Sequence, residues 1–119
     1  EGEQINKIST RKFKKIQIVN KTIWGIEYSL WWIDADGKMQ KFKNSVTDFY
    51  IHNEFVWTTN GKAITLTDIR TEQEWDIPLE RAMGNSHIYS LSCDDEWVWF
   101  LTNNGIFFYN WTTYNNAQN

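Results

Sequence analysis

Glu96-Trp97-Val98-Trp99-Phe100-Leu101-Thr102-Asn103-Asn104-Gly105-Ile106-Phe107-Phe108-Tyr109 reads as a strand, a tight turn and a second strand. Side chains alternate along a strand, so Trp97, Trp99 and Leu101 point to one face and Val98 and Phe100 to the other. Both faces are apolar, which predicts that both are covered. Asn104-Gly105 supplies two residues that tolerate positive φ, as a two-residue hairpin turn requires. The stretch is therefore a β-hairpin made for the inside of a layered structure.

Working outward, the pattern recurs. Residues 88–93 alternate up to Cys93, and residues 54–59 run through Phe55-Val56-Trp57 into Asn60-Gly61 and another apolar strand at 63–67. Residues 46–51 alternate ahead of them. Earlier, residues 13–19 lead to an Asn20-Lys21 turn, and residues 23–28 and Leu30-Trp31-Trp32-Ile33 follow. Asp36-Gly37 then turns the chain into 38–43, where Met39 and Phe42 among lysines suit an exposed outer strand. Residues 74–79 read as one more strand, which Pro78 restricts to an edge or a strand end because proline offers no ladder donor. Residues 80–86 are a polar connection. No segment sets apolar residues at helical three-and-four spacing, so the chain is all-β. Residues 1–11 are a flexible lead-in and residues 112–119 a polar tail.

At 119 residues, 41% hydrophobic and 23% charged, the chain has the size and composition of one globular domain. Eight Trp, seven Phe and five Tyr are an aromatic excess that favours strands and large buried contacts. A net charge of −3 argues against nucleic acid, which needs a clustered basic face. The run Arg11-Lys12-Phe13-Lys14-Lys15 reads as a solvated strand edge. No apolar run approaches the ~20 residues of a membrane helix, so no membrane insertion is expected. Cys93 is the one cysteine, excludes an internal disulfide, and reads as a small buried thiol.

Sliding the chain on itself exposes a repeat at an offset of about 42 residues. Val46 falls on Ile88, Phe49 on Leu91, Ile51 on Cys93, Val56 on Val98 and Trp57 on Trp99. A third copy reads as Ile26 for the first strand, Leu30-Trp31-Trp32 for the second, Asp36-Gly37 for the turn and 39–42 for the third, with no fourth strand. Residues 13–19 would then be an outer strand completing another blade. Short antiparallel strands with a tryptophan on the second and a glycine turn after it describe a blade of a β-propeller. The predicted fold is two to three blades of three to four strands, at roughly 12–44, 45–86 and 87–111.

The pieces Leu30-Trp31-Trp32-Ile33 to Gly37, Phe55-Val56-Trp57 to Gly61, and Trp97-Val98-Trp99 to Gly105 resemble the two-component-regulator type propeller repeat. In that repeat an apolar-Trp-apolar strand leads to a glycine turn. The resemblance covers roughly residues 13–111 and implies a periplasmic or extracellular sensor portion of a bacterial two-component system, often for glycan fragments. Propellers need about four to eight blades. The partner is therefore the rest of a larger propeller chain or further copies of this one, because bare blade faces would leave apolar sheets in water.

Catalytic signatures are absent: there is no phosphate loop, no nucleophile elbow and no metal spacing around His52, His87 or Cys93. Asp34-Ala35-Asp36-Gly37 resembles the start of a calcium loop, but Lys38 and Ser45 stand where ligands belong. The expected function is a non-catalytic binding or sensing module for a glycan or peptide, with no cofactor and no metal. The alternatives are an assembly module whose blade faces close a ring, and a glycan-processing enzyme. Trp32, Trp57 and Trp99, equivalent by repeat, are expected as blade core. Trp24, Trp31, Trp75 and Trp111 are less constrained and are the candidates for a ligand or interface.

Overall fold

Asn20 and Lys21 both take positive φ, 50° and 66°. That geometry gives a two-residue turn whose twist matches its strands, so β1 (Lys15–Val19) folds straight onto β2 (Thr22–Glu27). Tyr28, at φ 64°, returns the chain into β3 (Ser29–Ile33), and Gly37, at φ 82°, precedes β4 (Met39–Lys43). The computed structural model describes residues 4–79 and 83–116. In it β1–β4 form a four-stranded antiparallel sheet, the first blade. The second is β5 (Asp48–His52), β6 (Phe55–Thr59), β7 (Ile64–Asp68) and β8 (Glu74–Asp76). The third has three strands: β9 (Ile88–Cys93), β10 (Trp97–Thr102) and β11 (Gly105–Asn110). The all-β reading in blades holds.

The blades stack face to face with β1, β5 and β9 innermost and side by side. Lys15, Gln17, Trp24 and Ile26 of the first blade face Phe49, Ile51 and Val56 of the second, where Leu30 and Val46 complete one buried cluster. The other face of the second blade, with Phe55, Trp57 and Leu66, packs on Leu91, Cys93, Val98 and Phe100 of the third. Polar side chains join the inner strands. Gln17 donates from Nε2 to Ile51 O at 2.7 Å and accepts from Ile51 N at 2.9 Å. Buried Asp48 accepts from Lys15 Nζ at 3.0 Å and from Leu91 N at 2.7 Å, so one carboxylate touches all three inner strands.

The pairing register corrects the repeat in the first blade. Trp24 pairs with Gln17, as Trp57 pairs with Tyr50 and Trp99 with Ser92. Trp24, and not Trp32, is the counterpart of Trp57 and Trp99. Trp32 lies on the third strand, paired to Trp24, as Leu66 is paired to Trp57. Residues 13–19 are accordingly the innermost strand of the first blade, which has its fourth strand. The third blade is the one without an outer strand among the described residues. The offset from first to second blade is about 33 residues, placing Phe13 on Val46, Ile16 on Phe49, Ile18 on Ile51 and Ile23 on Val56. Phe13 packs so closely over Gly25 that a Cβ there would lie 2.6 Å from the ring, which is why the strand carries glycine.

Three further expectations change. Thr102 pairs with Gly105, so the last hairpin turns on Asn103-Asn104, one residue earlier than Asn104-Gly105. The Thr102 hydroxyl closes that turn, donating to Gly105 O at 2.9 Å and accepting from Asn104 N at 3.0 Å. The Trp97–Thr102 strand is covered on one face only: Val98 and Phe100 are buried, while Trp99 is 40% exposed. Among the described residues no further sheet lies over that ring. Finally, the polar tail contains a short helix, α1 (Thr112–Asn116), beside the buried Trp111. Residues 1–3 of the lead-in, 80–82 of the polar connection and 117–119 of the tail lie outside the described residues, and residues 4–13 form neither helix nor strand.

Candidate functional site

Where the first two blades splay apart at one end, a groove of about 640 Å³ opens between them. Its floor is aromatic. Trp24 lies 5.1 Å from Phe42 in an edge contact (76°) and 6.5 Å from Trp32 at 37° between planes. The local cause is the hairpin: β2 and β3 pair Trp24 with Trp32 directly, and cross-strand neighbours share a face. Phe42 comes from the next strand out, past the register shift between Leu30 and Trp31.

The rim is polar and comes from turns. Asn20 closes β1–β2, Asn53, at φ 56°, closes β5–β6, and the β7–β8 loop brings Arg70 and Glu72. Asp68 is fully buried and organises that loop, its Oδ1 accepting from Arg70 N at 2.9 Å. The Arg70 guanidinium lies 2.5 Å from Glu54 and 3.4 Å from Asp68. The Asp68 hydrogen bond, more than any other contact, holds it protonated even above the usual arginine range. Lys43 and Glu74, 3.4 Å apart, tie the two outer edges together. The result is a floor of rings under a fringe of amides and paired charges, which suits a ligand with an apolar face and hydroxyl or amide edges.

The four tryptophans singled out in the sequence do not converge. Trp24 lines the groove but is only 6% exposed, so the half-buried Trp32 and Phe42 supply most of the open aromatic surface. Trp31 is on the opposite face of the same blade, with the Arg11 guanidinium 4.5 Å and Lys41 Nζ 5.3 Å from its ring. Trp75, on β8, is half-buried against Tyr114 at 5.4 Å. Trp111 has no exposed surface: its ring meets Phe55 and Trp57 and its indole N–H donates to Asp94 O at 2.8 Å. It is core and offers nothing to a ligand. The groove residues that sequence reasoning passed over are Trp32 and Phe42. Only the strand pairing reveals them, since Trp32 takes the place of a blade-core ring when β2 and β3 are read one strand out of step.

Elsewhere the chemistry is structural. Burial pushes the Cys93 thiol up to about 12, with the Trp57 indole opposing it only in part, so the sulfur is neutral at physiological pH and a poor nucleophile. His52 and His87 are apart: His52 Nε2 lies 2.7 Å from Asp95 Oδ1, and His87 packs on Tyr89 at 4.9 Å. Asp34 Oδ1 accepts from Asp36 N and Lys38 N, both at 2.9 Å, which makes that loop a side-chain-capped turn. Asp94 does the same before β10, where hydrogen bonds from Trp97 N and Glu96 N hold its carboxyl below the usual range. Among the described residues, no group of three His, Cys, Asp or Glu side chains is placed to hold a metal. No described helix is long and apolar enough to cross a membrane.

No protein-family model matches the chain, and no curated protein matches it in sequence. Its fold is similar to that of several solved structures. The extracellular domain of a one-component system from B. thetaiotaomicron superposes with a TM-score of 0.66 at 15% identity, over 82% of this chain and 15% of that one. The computationally designed Ika4 protein gives 0.61 at 14% identity over 80% of this chain and 63% of its own. The designed Ika8 protein gives 0.62 at 16% identity over 82% and 33%. The chain thus spans less than two thirds of each, and what it shares with them is the fold: antiparallel blades stacked face to face.

Proposed function

We propose that this chain is a non-catalytic binding or sensing module, a stretch of β-propeller whose ligand is a neutral oligosaccharide held in the groove between the first and second blades. One observation carries the reading: Trp24, Trp32 and Phe42 form an aromatic floor beneath a rim of Asn20, Asn53 and Glu54. Sugar rings have apolar faces that stack on such a floor and hydroxyls that pair with such a rim. The groove carboxylates Glu54 and Asp68 are tied to Arg70, which disfavours their use as an acid and base pair. The resemblance to two-component-regulator repeats supports a sensor placed outside the cytoplasm. So does the likeness in fold to an extracellular domain of a one-component system.

The reading is tested by titrating intrinsic tryptophan fluorescence with a panel of neutral oligosaccharides. At least one saturable response is expected, and Trp32→Ala should weaken it by about tenfold or more, the loss of a stacking platform. Trp75→Ala, on the outer strand, should leave it unchanged. A flat response across the panel, or equal loss in both variants, contradicts the assignment. A response to peptides alone would replace the sugar with a peptide.

A further inference from the structure

Among the described residues two sheet faces stay open, and each is one half of an interface that the chain already builds twice. At the junctions inside the chain, a face bearing the second-strand tryptophan, Trp24 or Trp57, packs against the opposite face of the next blade, bearing Val56 or Val98. The third blade presents the same tryptophan-type face with no described sheet packed on it. Trp99 is the counterpart of Trp57 and Phe108 of Leu66, yet Trp99 is 40% and Phe108 59% exposed while Trp57 and Leu66 are wholly buried. The first blade presents the receiving face. Ile16 and Ile18, 55% and 65% exposed, stand where Phe49 and Ile51 stand in the second blade, which are buried.

The match extends to detail. Phe13 packs over Gly25 of its own blade, and Lys14 N donates to Ile26 O at 2.9 Å as Thr47 N donates to Thr59 O at 2.8 Å. The open receiving face is therefore shaped by the same backbone geometry as the occupied one. We propose that a second copy of this chain fills these faces, the Trp99 face of each copy seating on the Ile16–Ile18 face of the other, so that two copies close a ring of six blades. The count follows from known closures: propellers have about four to eight blades, and six is the one multiple of three in that range. The contact is heterologous at each junction and closed by a two-fold axis. The inference stands apart from the groove reading, because its test measures mass and not ligand.

Sedimentation or light scattering on the 119-residue chain should give twice the 14.3 kDa chain mass. Phe108→Lys destroys one face and Ile18→Lys the other, and each variant alone should be monomeric, with dimer affinity reduced by about a hundredfold or more. Mixed together, the two variants still hold one intact pair of faces and should form a dimer. Both side chains are exposed, so circular dichroism should show native sheet. Leu101→Lys and Ile16→Lys replace them if either fails to fold. A monomeric wild-type chain at high micromolar concentration overturns the proposal. So does a single variant that still dimerises, which would mean like faces pairing, or a mixture that stays monomeric. An open series of larger species overturns the six-bladed closure.

Discussion

Trp111→Ala lowers the free energy of unfolding by about 3–5 kcal/mol, the range for truncating a large buried aromatic. The residue lies outside every strand, just past β11, yet it is among the most buried in the molecule. Its ring meets Phe55 at 5.2 Å, Trp57 at 5.3 Å and His52 at 5.8 Å, all edge-on, and all three belong to the second blade. Its polar atoms hold to the third: Nε1 donates to Asp94 O, and the backbone N donates to Glu96 O at 2.9 Å. One side chain therefore pins two blades. Urea unfolding followed by circular dichroism measures the loss. Trp111→Phe keeps the edge contacts and loses the indole hydrogen bond, so it should fall well short of the alanine variant. A change below about 1 kcal/mol for Trp111→Ala would show that the ring does not bridge the blades.

Asp48→Ala should cost about 2–3 kcal/mol, nearly all of it from the buried side of the carboxylate. Removing it leaves the Leu91 amide without its acceptor, and an unpaired buried group costs about 1–3 kcal/mol. The Lys15 partner is about one third exposed and keeps Phe49 O as a second acceptor, so its share is small, as for other screened pairs. The order of effects separates the two: Asp48→Ala largest, Asp48→Asn smaller because an amide oxygen still accepts from Leu91, and Lys15→Met below about 1 kcal/mol. Equal losses for Lys15→Met and Asp48→Ala would mean that the ion pair, and not the hydrogen bond between inner strands, is what stabilises the centre.

The second and third blades are legible in the sequence because each sets an alternating strand before Glu-aromatic-Val-Trp. Phe49 and Ile51 therefore fall on Leu91 and Cys93 without any structure in hand. The first blade misleads. Trp31-Trp32 on β3 imitates a tryptophan-bearing second strand, and the true one, β2, carries Gly25 where Thr58 and Phe100 stand, because Phe13 fills that space. Trp99 takes the repeat position of Trp57, as the sequence suggests, but among the described residues no neighbouring sheet covers it and it is 40% exposed. The groove is half legible. Trp24 can be singled out by composition, whereas Trp32 and Phe42 join it only through pairing across β2, β3 and β4, and pairing is set by turns such as Tyr28 at positive φ that no residue type announces. Trp111 is picked out in the sequence as a ligand or interface candidate, but it is a buried plug, because nothing in the sequence shows that the chain past the last strand folds back between two blades.

The blades pack face to face with their first strands adjacent, and Gln17 reports on that directly. Its side-chain amide is bonded at both ends to Ile51, a residue of another blade. In a nuclear Overhauser spectrum of the labelled chain, the Gln17 amide protons should show cross-peaks to the β5 backbone around Ile51 and exchange slowly with water. An amide that exchanges freely and shows contacts only within β1 and β2 would contradict the stacking, and with it both the groove and the ring.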